Sequence, residues 1–144
     1  MGGDRVAHEG GFYFRPTVLT RVVPSMKVLQ QECFGPVLPI MTFSTAEEGI
    51  ALANDSEYGL GASVWTGDRG IAERLARSLR VGIVWVNDVN VAFPEAPWGG
   101  IKRSGQGLAL SEFALYEYVQ KKHINFDTSD AVSRAWWYPY QPHG

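Results

Sequence analysis

A single cysteine stands among the 144 residues. It excludes an internal disulfide and any metal site built from several thiolates, so no metal is expected. Basic residues are few as well: 13 Lys and Arg against 15 Asp and Glu leave a formal net charge of -2. That balance does not suit a phosphate backbone, and nucleic acid is not an expected partner. No apolar run is long enough to span a bilayer, so a membrane partner is not expected either. The Met1 end is rich in glycine and carries no hydrophobic signal segment. Together with the sparse cysteine, this sets a cytoplasmic location as the expectation. What the chain does have is apolar material: 45% of its residues are hydrophobic and 12% aromatic. That is enough for one core and too much for a disordered chain.

The pattern along the chain alternates strand and helix. Gly2, Gly3, Gly10 and Gly11 mark a leading loop, and Thr17–Val22 is a β-like run after Pro16. Val37–Phe43 reads as a strand that Pro39 demotes to an edge or a bulge. Ser44 and Glu47 have capping-box spacing, which predicts a helix to about Asn54. Ala62–Thr66 is a second strand. Asp68 caps a helix on which Ile71, Leu75 and Leu79 recur every fourth residue. Gly82 suits a left-handed position after it. Ile83–Val86 is almost wholly apolar, as for a strand covered on both faces. The order predicts an α/β fold with a parallel sheet and flanking helices. Ligands of such sheets bind beyond the carboxyl ends of the strands, which directs attention to the long loop from Asn87 to Gly107. Ser111 is expected to cap a last helix, and Lys121–Phe126 alternates like a marginal strand. Trp136, Trp137, Tyr138 and Tyr140 then crowd around Pro139.

Two constellations carry chemistry. In Glu32-Cys33-Phe34-Gly35-Pro36, a forced bend can hold a carboxylate and an aromatic ring side by side. An ionised Glu32 is able to accept two hydrogen bonds from a vicinal diol, and Phe34 to contact a heterocycle. On these residues alone, a surface glutamate beside a core phenylalanine is the plainer reading. The second constellation runs from Pro97 to Gly107. Its four glycines in eleven residues permit close backbone approach. It lacks the strand-to-helix setting of a phosphate-binding loop, and a structural turn explains it equally well.

Taken together and in this order, the two motifs strongly resemble the C-terminal portion of the NAD(P)-dependent aldehyde dehydrogenases. Glu32–Pro36, Val86-Asn87 and Pro97–Gly105 match the family's Glu-x-Phe-Gly-Pro, Val-Asn and Pro-aromatic-Gly-Gly-x-Lys-x-Ser-Gly patterns. Phe14–Leu19, Ala53-Asn54-Asp55 and Tyr58-Gly59-Leu60 match the intervening pattern. The resemblance implies a partial catalytic domain over residues 1–120, followed by an oligomerisation strand and aromatic tail over 121–144. It implies that Glu32 holds the nicotinamide ribose of NAD or NADP and that Phe34 packs near the nicotinamide. Trp98 takes the aromatic position lining the aldehyde tunnel. Val89 and Ala92 lie in the loop that shapes substrate choice, and Asn87 braces that loop.

The resemblance also implies that the family's nucleophilic cysteine, water-activating glutamate and nucleotide-binding domain lie upstream of this segment. No catalytic residue is therefore assigned to the chain. Cys33 occupies a variable position of the cofactor motif, with no adjacent cation to favour a thiolate and with Glu32 opposing one. One departure stands out: Leu108-Ala109 follows Gly107 where the family usually continues Arg-Glu. The expected protein is a fragment of an aldehyde-oxidising oxidoreductase, inactive alone. Its partner is either a missing N-terminal half or further copies of itself. The alternative is a non-catalytic, self-associating module of the same ancestry.

Overall fold

The computed structural model describes residues 2–6 and 10–128. His8, the aromatic cluster at 136–140 and His143 lie outside the described residues. In chain order the elements are β1 (Arg5–Val6), β2 (Tyr13–Phe14), β3 (Thr17–Leu19), α1 (Lys27–Gln30), β4 (Val37–Pro39), α2 (Ala46–Asn54), β5 (Tyr58–Gly59), β6 (Gly61–Val64), α3 (Arg69–Ser78), β7 (Ile83–Val86), β8 (Trp98–Gly99), β9 (Ile101–Lys102) and β10 (Leu108–Ala109). A 3₁₀ segment, Glu112–Tyr118, follows.

The helices begin where short polar side chains satisfy their free N–H groups. Thr45 Oγ1 accepts from the Glu48 N–H at 3.2 Å, and Glu48 Oε2 accepts from the Ser44 N–H at 2.7 Å. The reciprocal cap therefore sits one residue later than the Ser44–Glu47 spacing suggested. Asp68 Oδ1 accepts from the Ile71 N–H at 2.8 Å, as expected. Arg74 of α3 pairs with Glu47 of α2 at 2.7 Å. Its hydrogen bond holds the Glu47 carboxyl below the usual carboxylate range. At the far ends of the same helices, the Asn54 amide donates to the Ser78 carbonyl at 2.9 Å and accepts from the Arg80 N–H at 2.7 Å.

The expected continuous parallel sheet is corrected to a mixed α/β arrangement of separate two-stranded ladders. β3–β4 and β6–β7 are parallel, each joined through a helix; β1–β2, β5–β9 and β8–β10 are antiparallel. β4 and β6 do not pair with each other, because α2 and the β5 turn separate them. On β4 the ladder to β3 uses the Pro36 carbonyl, bonded to the Thr17 N–H, and the Ile40 N–H, bonded to the Leu19 carbonyl. Alternation then puts Val37 and Pro39 on the outer edge. The Val37 N–H is taken up by the Gly35 carbonyl at 2.8 Å, and Pro39 has no N–H at all.

Two further expectations change. Gly82 is not left-handed. A Cβ there would run into the Gly99 carbonyl, so the glycine serves close approach of two backbones. Lys121–Phe126 belongs to no ladder and no helix. Alternation alone does not make it a strand, because no neighbouring strand among the described residues pairs with it.

Burial is thin. Among the described residues only Thr17, Gly59, Val64, Ala72 and Ala114 are buried, and no large side chain is fully enclosed. Even β7, expected to be covered on both faces, leaves Val86 43% exposed. The chain exposes 12259 Å², where a compact monomer of 15.9 kDa exposes about 7,400 Å². No helix among the described residues is long and apolar enough to cross a membrane.

Candidate functional site

Gly35 and Pro36 fold the first motif into two successive three-residue turns. The Gly35 N–H donates to the Cys33 carbonyl at 2.9 Å, and the Val37 N–H to the Gly35 carbonyl at 2.8 Å. So tight a bend cannot tuck every side chain inward, and Phe34 stands 97% exposed. Glu32 lies beside it on the rim of a cleft of about 690 Å³ walled by Val28, Leu29, Val37, Tyr58 and Arg103. Cys33 is free and exposed on the same rim. No hydrogen bond or ion pair joins the Glu32 carboxylate to the described residues, so its oxygens are open to an incoming diol. Within this chain Phe34 does not pack into a core.

The second motif is held rigidly from behind. The Lys102 ammonium donates to the Asn54 carbonyl at 3.2 Å and the Ser56 carbonyl at 3.0 Å. It thereby sits at the negative end of α2. Its backbone is left-handed, with φ at 55°, an uncommon geometry for a non-glycine residue. The Arg103 N–H donates to the Glu57 carbonyl at 2.9 Å. Ser104 Oγ accepts from the Gly59 N–H at 2.9 Å. These anchors set β8, and hence Trp98, against Leu108-Ala109 of β10. Of the two residues, Ala109 is the one paired with Trp98, and Leu108 is paired with Gly99. Trp98 lines a second cavity of about 470 Å³ with Gly100, Leu108 and Tyr118. Leu60 and Ser104 form walls of both cavities, so the Glu32 and Trp98 sites are neighbours.

Asn87 sits at φ 54° and uses both ends of its amide on one residue. Its Oδ1 accepts from the Thr66 N–H, and its Nδ2 donates to the Thr66 carbonyl, each at 2.9 Å. It braces the start of the loop, as expected. Val89 is 59% exposed and Ala92 is exposed too; neither lines the two cavities. Sequence reasoning missed Trp85. Its Nε1–H donates to the Val91 carbonyl at 2.9 Å, and its ring centroid lies 5.8 Å from that of Trp98 at 59°. A tryptophan inside an apolar strand gives no hint of that double contact. No cluster of three or more His, Cys, Asp or Glu able to hold a metal occurs among the described residues.

Comparison with known proteins gives a consistent result. The sequence pattern described as the aldehyde dehydrogenase family matches residues 1–124. Aminoaldehyde dehydrogenase 1 of Pisum sativum, named as peroxisomal, is 47% identical over 142 residues, covering 98% of this chain and 27% of its own. Betaine aldehyde dehydrogenase of Bacillus subtilis is 46% identical over 124 residues, covering 86% of this chain and 25% of its own. A crystal structure of a point mutant of the Staphylococcus aureus betaine aldehyde dehydrogenase with NAD+ superposes with a TM-score of 0.85 at 43% identity. It covers 95% of this chain and 28% of that one. The chain thus spans about a quarter of the length of the relatives it matches.

Proposed function

The chain belongs to the aldehyde dehydrogenase family, and from that premise we propose that it is the C-terminal part of an aldehyde-oxidising site. In this reading Glu32 holds the nicotinamide ribose hydroxyls and Phe34 packs beside the nicotinamide. Trp98, Val89 and Ala92 form the aldehyde side. The thiol nucleophile, the water-activating carboxylate and the nucleotide-binding domain come from the rest of a longer polypeptide. The observation that carries this reading is the open state of the site. An unpaired carboxylate and a 97% exposed ring stand at a cleft with both apolar and polar walls that this chain does not close. Those residues fit NAD or NADP: the carboxylate accepts from a diol, and the ring offers a face to a heterocycle. Bound there, the cofactor supplies the hydride acceptor; the chain's own contribution is to orient it and to shape the aldehyde side.

The test is a hybrid enzyme in which this chain replaces the segment it matches in the Bacillus subtilis betaine aldehyde dehydrogenase. With NAD+ and betaine aldehyde the hybrid is expected to form NADH. Glu32→Gln should slow single-turnover hydride transfer more than it weakens NAD+ binding. The amide still accepts a hydrogen bond but loses the charge-assisted pair, worth about 1.5–3 kcal/mol. That corresponds to roughly 10- to 100-fold in rate. Unchanged single-turnover kinetics would count against the assignment of Glu32.

One observation favours a second reading, self-association. The chain leaves large apolar side chains such as Leu38, Phe43 and Phe126 uncovered, the kind of surface that a further copy would bury. The 144-residue chain on its own is expected to sediment as a dimer or tetramer. A chain ending at Thr128 is expected to lose part of that association, since aromatic anchors are enriched at interfaces. A concentration-independent monomer for the intact chain would remove this reading.

A further inference from the structure

Trp85 has no part in the site described so far, yet three features converge on it. Its indole N–H holds the Val91 carbonyl at 2.9 Å, in the middle of the loop that carries Val89 and Ala92. Its ring packs at 59° against Trp98, centroid to centroid 5.8 Å. And the neighbouring strand makes room for that ring: a Cβ on Gly61 would lie 2.5 Å from Trp85 Cζ3 and 2.9 Å from Cη2. Gly61 is not left-handed, so what its missing side chain provides is space for the ring. A tryptophan placed only to fill a core would need neither the loop carbonyl nor this gap.

We infer that Trp85 is a positioning residue for the aldehyde side of the site. It fixes the Asp88–Ala96 loop and Trp98 in one arrangement through a single rigid side chain. The inference rests on the reading of Trp98, Val89 and Ala92 given above and goes beyond it. Trp85 faces the loop and Trp98, and the Glu32 rim lies across the shared Leu60 and Ser104 wall. Loosening Trp85 is therefore expected to act first on how the aldehyde is held, and it reaches the cofactor side only through Gly61, which also lines the Glu32 cleft.

The hybrid enzyme tests this with two variants that reach the same ring from opposite sides. Trp85→Phe keeps an aromatic ring and removes the donor to Val91. Gly61→Ala leaves Trp85 intact and pushes its ring out of the gap. Each is expected to raise the KM for the aldehyde by roughly 3- to 10-fold, the scale of one lost hydrogen bond. For Trp85→Phe the kcat and the KM for NAD+ should stay within about twofold of the parent hybrid, well inside the effect sought. Because both act on one element, the double variant should be no worse than the more impaired single. An active hybrid whose aldehyde KM is unmoved by both substitutions overturns the role of Trp85 and leaves the family reading standing. So does a fall in kcat and a rise in both KM values in step with lost thermal stability. A parent hybrid that folds and forms no NADH overturns the functional reading, and this inference with it.

Discussion

Purified alone, the 144-residue chain is expected to form no NADH from any aldehyde, with either NAD+ or NADP+. Aldehyde oxidation in the proposed mode needs a thiolate to attack the carbonyl and a base to activate water. Positioned acid–base groups alone contribute about 10²–10⁴-fold, and without a nucleophile there is no covalent route to assist. The one thiol present, Cys33, is exposed on the rim of the Glu32 cleft. Among the described residues no cationic side chain is bonded to it, and a reactive thiolate needs such a partner. Mixing the chain with the remaining three quarters of the Bacillus subtilis enzyme, co-expressed to let the two fold together, is expected to restore turnover. Aldehyde-dependent NADH formation by the chain alone, abolished by Cys33→Ser, would overturn the assignment of the nucleophile elsewhere.

The second large effect is expected at Gly82. A Cβ there meets the carbonyl of Gly99, with the Gly100 Cα 3.1 Å away. Neither obstacle is a side chain that can rotate aside. Around the contact, the Gly82 N–H is held by the Gly59 carbonyl at 3.0 Å and the Ile83 N–H by the Leu60 carbonyl at 3.1 Å. The strain therefore passes to β8, which carries Trp98. Gly82→Ala should cost about 1–3 kcal/mol or more, lower the thermal midpoint of the hybrid by several degrees and raise its aldehyde KM. Gly67→Ala is the matched control: nothing lies within 4 Å of its added Cβ. Its midpoint should stay close to that of the parent. Equal midpoints for the two variants would show that β8 yields freely at this point.

Both predictions depend on features that differ in how far the sequence discloses them. Two helices, α2 and α3, were legible because their signals are local; α1, a single turn without a side-chain cap, was not, and the expected last helix is a 3₁₀ segment. Thr45 and Asp68 cap within three residues of the N–H groups they serve, and Ile71, Leu75 and Leu79 repeat at helical spacing. The bend at Gly35-Pro36 was legible for the same reason. β8, β9 and β10 were not: each is two residues long and exists only because a distant partner pairs with it, as Lys102 does with Tyr58. Gly82 was read as a conformational glycine, whereas its reason lies in a backbone far along the chain. The site shows the same division. Glu32, Phe34 and Trp98 could be picked out by motif, while Trp85 depends on a gap left by Gly61 on another strand. Alternation at Lys121–Phe126 suggested a strand that the described residues do not form.

Pro39 decides how ladders of this chain can grow. Along the outer edge of β4 one donor is spent on Gly35 and the next does not exist, so the edge presents carbonyls without the N–H groups that a docking strand needs in return. Growth by strand addition is blocked there and left to the remaining edges. A further strand therefore cannot extend the β3–β4 ladder across this edge. In a chain that leaves Val18, Leu38 and Phe43 uncovered, an edge without donors removes one route to fibre growth.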